Sequence, residues 1–303
     1  MDGMLVVINR VAGTADDESV EAALGVLRRE ADVAVAATAD QAELDEAVQG
    51  CGDRRLVVFG GDGSVHAALR ALDRAGALDP AEPIGIIPRG TGNDLARSLG
   101  LPLDPVDGAE AVLTGRARQL DLLRDNRGGL VVNAVHVGLG ARASAEALRF
   151  KESLGVAAYP LGAVIAGVTG TGTALRVEAD GVVVSAESGE WAADGSTEVL
   201  MVGVCNAPSI AGGTLLAPGA LVDDGLVDVV VCTATGPVAR AAFGTALLNG
   251  SHVDRPDVVL IRARQVRFRG GPVDLVADGE LQEEVESRTW RVDACAWSVL
   301  APT

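Results

Sequence analysis

The stretch Arg54 to Ala68, RRLVVFGGDGSVHAA, limits more than any other what this chain can fold into. Its compact apolar run, Leu56 to Phe59, suits a buried parallel strand. The run breaks at Gly60-Gly61-Asp62-Gly63, after which Val65, Ala68, Leu69 and Leu72 share one face at helical spacing. Strand, glycine-rich turn and helix in succession bring backbone N–H groups and a helix N-terminus together, the arrangement that holds phosphate. Glycine there lets the backbone take positive φ and approach a ligand without a Cβ in the way. A carboxylate at Asp62 would repel bare phosphate; it makes chemical sense against a metal-bound water or a ribose hydroxyl. An ordinary tight turn accounts for the same four residues equally well.

Residues 84 to 97, IGIIPRGTGNDLAR, repeat the arrangement. An apolar strand is followed by Pro88, Gly90, Thr91, Gly92, Asn93 and Asp94, and then by a helix start. Asn93 or Asp94 is the expected N-cap, and Thr91 supplies a hydroxyl beside open amides. The two turns are expected side by side at the carboxyl ends of the strands, where open α/β sheets bind ligands.

Late in the chain, Asp278-Gly279-Glu280 follows an apolar strand. On its own this reads either as a hairpin turn, for which Asp-Gly is the commonest signal, or as a carboxylate placed to accept a proton.

Together, Gly60 to Ser64, the full P-x-G-T-x-N-D-x-A-R form at Pro88 to Arg97, and the late DGE resemble the lipid kinases that share the diacylglycerol kinase catalytic domain. That family includes soluble bacterial diacylglycerol kinases and the sphingosine and ceramide kinases. The resemblance covers nearly the whole chain. Its second motif is the specific one, because NAD kinases share the GGDG turn without it. The resemblance implies ATP with Mg²⁺ and transfer of the γ-phosphoryl group to a lipid hydroxyl, diacylglycerol becoming phosphatidic acid. It places Asn9, Gly13, Thr38, Gly60, Gly61, Asp62, Gly63, Ser64, Gly90, Thr91, Asn93 and Asp94 at the nucleotide. It favours Asp278 as general base and Glu280 as a metal or positioning partner. At Asp223-Asp224-Gly225-Leu226 it implies a structural magnesium held by the Asp224 side chain and the carbonyls of Leu221 and Leu226, oxygen ligands that a hard cation takes.

The chain departs from the family pattern at three places. Arg10 and Ala12 stand in the first turn, where N-P-x-S-G is usual; Ser64 stands for Thr and keeps the hydroxyl; and Ala67 stands where Glu is common. The last removes a carboxylate. Two other readings therefore stay open: an NAD kinase-like enzyme with a soluble substrate, and a nucleotide-binding regulator without turnover.

Composition narrows the partners. A formal net charge of −17 argues against nucleic acid and against broad adhesion to an anionic membrane. Transient contact with a membrane surface is still compatible with a local basic patch, and Arg262, Arg264, Arg267 and Arg269 form one, read either as headgroup contact or as a solvated strand face. A homodimer is left open. Cys51, Cys205, Cys232 and Cys295 form no C-x-x-C pair and read as buried reduced thiols, which implies a cytoplasmic compartment. With three histidines there is no zinc cluster to read, and His66 reads as structural. The N-terminus has no basic segment before its short apolar run and reads as a first strand, not as a signal peptide.

Two domains are expected from 303 residues. Strand Leu5–Ile8, helix Ser19–Arg29, strand Val33–Ala37, helix Ala42–Val48 and the two glycine turns alternate as a parallel sheet flanked by helices. Leu101 to Asp107, with Pro102 and Pro105, reads as a loop. Beyond Asp121, closely spaced short apolar runs, among them Leu130–Val137, Gln265–Arg269 and Val273–Ala277, predict an antiparallel sandwich. The expected division is 1–124, an α/β ATP-binding domain, and 125–303, a β-sandwich domain for the lipid, its last strand returning toward the first. Ser153 to Leu175 carries no charge and reads as a buried or cleft-lining helix ending near Thr169.

Overall fold

The structure, a computed structural model, describes residues 3–10, 17–138, 172–185 and 194–302. The expected helix from Ser153 to near Thr169 and the turn residue Gly13 lie outside the described residues. The chain divides into two compact units: Met1–Asp121 with Cys295–Thr303, and Leu122–Ala294.

The first unit is a parallel sheet with helices on both faces, as the alternating pattern requires. Strands β1 (Met4–Asn9), β2 (Val33–Thr38), β3 (Arg55–Gly60) and β4 (Gly85–Pro88) line up in the order β2-β1-β3-β4. Because all run the same way, their carboxyl ends share one edge. Asn9 is level with Thr38, and Gly60 with Pro88. Helices α1 (Asp17–Leu27) and α5 (Pro105–Thr114) pack on each other, as do α2 (Gln41–Gln49) and α3 (Asp62–Arg74). The core beneath α1 and α5 joins Met4, Val6, Leu24, Leu27, Val57, Phe59, Ile87 and Val112. Leu300 belongs to it too, and Ile84 exchanges backbone hydrogen bonds with Ser298 and Leu300, so the last residues add an edge to this unit.

One loop expectation is corrected here. Pro105 is the first residue of α5, and the Asp104 side chain accepts from the amides of Val106 and Asp107. Proline fits a first helical turn because its missing N–H has no partner to lose there. The proline that suggested a loop opens a helix. A second short helix, α4 (Asp94–Ser98), follows the second glycine turn.

The second unit is antiparallel β, with one α-helix outside it among the described residues. After β5 (Arg116–Asp125), β6 (Leu130–Val131) and β7 (Ala134–Gly138) come β8 (Thr173–Ala179), β9 (Val182–Val183), β10 (Thr197–Val199) and β11 (Met201–Cys205). The small pair β12 (Ser209–Ile210) and β13 (Thr214–Leu215) is followed by β14 (Val227–Cys232), helix α6 (Pro237–Leu248), β15 (Val258–Ala263), β16 (Gln265–Ala277) and β17 (Glu280–Ala301). The two runs Gln265–Arg269 and Val273–Ala277, read as separate strands, are one bent strand. Its first half pairs with β8 and its second half with β7. At the bend a side chain on Gly270 (φ 124°) would meet the Ala174 carbonyl oxygen at 2.3 Å, so only glycine turns the corner. A strand that changes partners at such a bulge is how sandwiches make corners. The interior packs Val135, Val137, Val204, Val229 and Val231 with Val177, Val266, Phe268 and Trp290. On the outer side, Phe243 and Leu247 of α6 cover Met201, Cys205 and Val230.

The thiols do not all follow the expectation. Cys205 and Cys232 are buried, but Cys51 is half-buried and Cys295 exposed; all four are unbridged. No helix among the described residues is long and apolar enough to cross a membrane.

Candidate functional site

At the carboxyl edge of the parallel sheet lies a cleft of about 140 Å³ lined by Val7, Asn9, Thr38, Asp40, Gln41, Leu44, Val58, Gly63, Ser64 and Ala67, among others. Asn9 and Thr38 come from adjacent strand ends, and Gly63 and Ser64 from the first turn of α3. No side chain caps that helix, whose N-cap is Gly61. The N-terminus of a thirteen-residue helix therefore ends beside a cleft whose neutral polar lining is two amides, Asn9 and Gln41, and two hydroxyls, Thr38 and Ser64. Such an end favours an anion through its unfilled N–H groups and its dipole. Asp40 is the one carboxylate in the lining, and it accepts the Glu43 amide as the N-cap of α2.

The two glycine turns meet, and for a reason not legible in either turn alone. Asp62 does not point at open solvent. Its Oδ2 accepts the Asp94 amide and its Oδ1 the Leu95 amide, each at 3.0 Å. Asn93 holds the expected N-cap position of α4, but its side chain makes no capping bond, and the other turn supplies it. Asn93 adopts the left-handed region (φ 52°) and turns its side-chain amide back onto the Gly90 carbonyl at 2.8 Å, leaving its Oδ1 buried without a partner. A Cβ on Gly90 would stand 2.8 Å from the Gly61 Cα and 2.7 Å from the Asn93 Oδ1. On that side, glycine is required by the approach of the other backbone. Thr91 is exposed beside them. Eleven of the twelve candidate nucleotide residues thus occupy two neighbouring places on one edge, the cleft and the paired turns. Asn9 and Thr38 sit at the strand ends, and Gly13 falls outside the described residues.

In the second unit, Asp278 and Gly279 both have positive φ, 45° and 89°, in the two-residue turn between β16 and β17. That is the hairpin geometry Asp-Gly prefers. The carboxylate is also held: Oδ2 accepts the Val132 amide at 2.6 Å, and Oδ1 those of Asn133 and Ala134 at 2.9 and 3.1 Å. Both readings of DGE therefore have a physical basis, since the turn is real and its carboxylate is fixed in an anion-binding arc of backbone. Glu280 is exposed at the start of β17.

One residue that sequence reasoning passed over lies near Asp278. His136 is level with Val276, two residues along from the Ala134 whose carbonyl accepts the Asp278 amide. Its Nε2 is sealed from solvent with no hydrogen-bond partner, and burial pushes the imidazole down to about 4. Only its position in an apolar run, between Val135 and Val137, hinted at this.

The Asp223 to Leu226 turn is a separate place. Asp224 Oδ1 accepts the Leu226 amide at 3.0 Å, and its Oδ2 is ion-paired with Arg262. Arg262 Nε also lies 3.6 Å from the buried Asp228. A guanidinium already neutralises the carboxylate a cation would need, and Leu221 is half exposed. As the side chains stand, Leu221, Asp224 and Leu226 do not fit a magnesium ion.

With the geometry in place, the chain can be set beside known proteins. Residues 3–124 match the diacylglycerol kinase catalytic domain, and residues 133–300 match the YegS C-terminal NAD kinase beta sandwich-like domain. A Pseudomonas aeruginosa protein named "Probable lipid kinase YegS-like" is 33% identical over 286 residues, covering 91% of this chain and 87% of its own. One of the same name from Xanthomonas campestris pv. campestris is 30% identical, covering 93% and 91%. Among solved structures, a diacylglycerol kinase from Bacillus anthracis superposes with a TM-score of 0.78 at 21% identity, covering 99% of this chain and 96% of that one; this likeness speaks to the fold alone. With both of its units matched by family models over most of its length, the chain belongs to the diacylglycerol kinase catalytic-domain family.

Proposed function

We propose that the chain is an ATP-dependent lipid kinase that phosphorylates a lipid hydroxyl, with diacylglycerol as acceptor and phosphatidic acid as product. The observation that carries this reading is the paired glycine turns, locked by Asp62 at the sheet edge, beside a helix N-terminus and the cleft of Asn9, Thr38 and Ser64. The phosphates would lie on the α3 N-terminus and the turn amides, and the nucleoside in the cleft. Phosphoryl transfer asks for positioning and charge stabilisation more than covalent chemistry. A divalent cation accompanying ATP would neutralise phosphate charge; among the described residues no cluster of three acidic, histidine or cysteine side chains could hold one by itself.

In the second unit, Asp278 would receive the acceptor hydroxyl. Three backbone amides hold that carboxylate in one orientation. Its role is to align the hydroxyl and to take the proton late, which a loose transition state permits. Glu280 is the accompanying carboxylate. The test is transfer of labelled phosphate from ATP across a panel of neutral lipids and NAD. Labelled phosphatidic acid is the expected product; label on NAD alone would refute the lipid assignment.

A second reading, a nucleotide-binding regulator, is favoured by one observation: Ala67 presents a methyl group to the cleft where a carboxylate is common in the family. It predicts ATP binding with no product from any acceptor, and Ala67→Glu would then leave turnover at zero.

A further inference from the structure

The sheet formed by β8, β16 and β17 has an outer face rich in arginine. Val177, Val266, Phe268 and Trp290 point into the core. The alternating residues of the same strands therefore point outward. Register then sets Glu178 beside Arg267, Arg176 beside Arg269, and Gln265 beside Arg291. Four arginines share this face with Glu178; Asp293, which the same alternation puts outward on β17, is paired with Arg124 at 2.6 Å. Glu178 is occupied by Arg176 at 2.7 Å and Arg269 at 3.0 Å, and these partners hold it below the usual carboxylate range. Arg267 makes no ion pair among the described residues, and Arg291 has only the Gln265 side-chain oxygen at 2.6 Å. At the edge, the β8–β9 hairpin carries Val182 with 70% of its surface exposed.

This local excess of three positive charges stands on a chain of net charge −17. The acidic remainder repels an anionic surface, so approach is favoured through this basic face. Arginine suits phosphate because its planar fork donates two parallel hydrogen bonds. A flat sheet can present several such forks to a plane of headgroups at once.

We propose that this face docks the protein on an anionic phospholipid bilayer, Arg267 and Arg291 engaging headgroup phosphates and Val182 entering the interface. The proposal rests on the lipid kinase reading, because the acceptor and product of such an enzyme reside in a bilayer. It also implies a rising affinity as anionic product accumulates. Each arginine near a surface contributes roughly fivefold in partitioning. Contact is therefore strong enough to dwell and weak enough to leave.

The experiment is co-sedimentation of the intact chain with phosphatidylcholine vesicles, with and without about 30% phosphatidylglycerol. Binding is expected only to the anionic vesicles and is expected to fade in high salt, where the Debye length falls to about 3 Å. Arg267→Gln/Arg291→Gln should lower partitioning about 25-fold, since two fivefold contributions are removed, and Arg267→Glu/Arg291→Glu should lower it further, since repulsion is added. Unchanged binding in both variants, absence of wild-type binding at low salt, or binding to short DNA in preference to vesicles would overturn the proposal. Activity on a short-chain lipid dispersed in detergent separates the two readings. Variants that keep that activity but leave vesicles support docking. A wild type that binds vesicles yet phosphorylates no lipid overturns the kinase reading alone.

Discussion

Replacing Asp278 by Asn separates the anchor from the acceptor, and the structure gives the size of the effect. The two side chains are nearly isosteric, and Asn tolerates positive φ better than most residues. The Asn carbonyl can take the place of Oδ1 and keep the amides of Asn133 and Ala134. Its NH₂ then confronts the Val132 N–H across what was a 2.6 Å hydrogen bond. Losing one charge-assisted bond costs about 1.5–3 kcal/mol, and the two retained bonds weaken as the acceptor becomes neutral. The expected loss is about 3 kcal/mol for Asn, and more for Ala, which forfeits all three hydrogen bonds. Denaturant unfolding followed by circular dichroism measures this directly, with ATP affinity as the internal control in the first unit. Turnover at a temperature where the variant is folded should fall about 10² to 10⁴-fold if the carboxylate also accepts the proton. A variant whose unfolding matches wild type would refute the amide arc. A folded variant with full turnover would leave DGE as a hairpin turn.

Three further outcomes are expected. Gly90→Ala forces a Cβ against the Gly61 Cα and should weaken ATP binding at least tenfold, whereas Gly63→Ala, with nothing within 4 Å of the new methyl, should fold normally; equal nucleotide affinity for Gly90→Ala and wild type would sink the contact between the turns. Burial holds His136 at about 4 against 6.5 ordinarily, so between these pH values the unfolded chain binds a proton the folded one refuses. Stability should fall as pH drops through that window, by at most about 3 kcal/mol. Asp228, raised by burial to about 6, contributes the opposite slope, so the quantity to measure is the difference between wild type and His136→Gln across pH 4 to 7; parallel curves would mean that the imidazole is hydrated. Arg262→Ala should make unfolding respond to millimolar Mg²⁺ while wild type ignores both Mg²⁺ and chelator, and a wild type destabilised by chelator would show that a cation displaces the guanidinium.

Much of the first unit was legible because its signals are local. A four-residue apolar run, a glycine break and a 3.6-residue period follow one another in chain order, and parallel strands put their ends on one edge without further information. Asp62 shows where that ends. Its partners lie 32 and 33 residues ahead, so nothing near it announces that it caps another helix. The glycines were marked as places where a ligand could come close, but the sequence cannot say that at Gly61 and Gly90 it is the other turn's backbone that does. In the second unit the short runs gave an antiparallel sandwich, yet Gly270-Gly271-Pro272 read as a gap between strands, because a bend and a break have the same composition. His136 was hidden by its neighbours: an apolar run tells where a side chain is, not whether its nitrogen finds a partner.

The residues that close the edge of the first unit have a consequence for how the chain is made. Ile84 waits for Ser298 and Leu300, and Leu300 sits in the core beneath α1 and α5. On a ribosome adding about 5–20 residues per second, the whole second unit is synthesised before that edge arrives, a delay of roughly ten to thirty-five seconds. During that interval the first unit has its glycine turns and most of its core, but a bare strand edge at Ile84 and a hole where Leu300 belongs. An exposed edge of this kind recruits other strands. The nascent chain is thus most vulnerable to aggregation in the middle of its synthesis, and a fragment ending near residue 124 would remain in that state permanently.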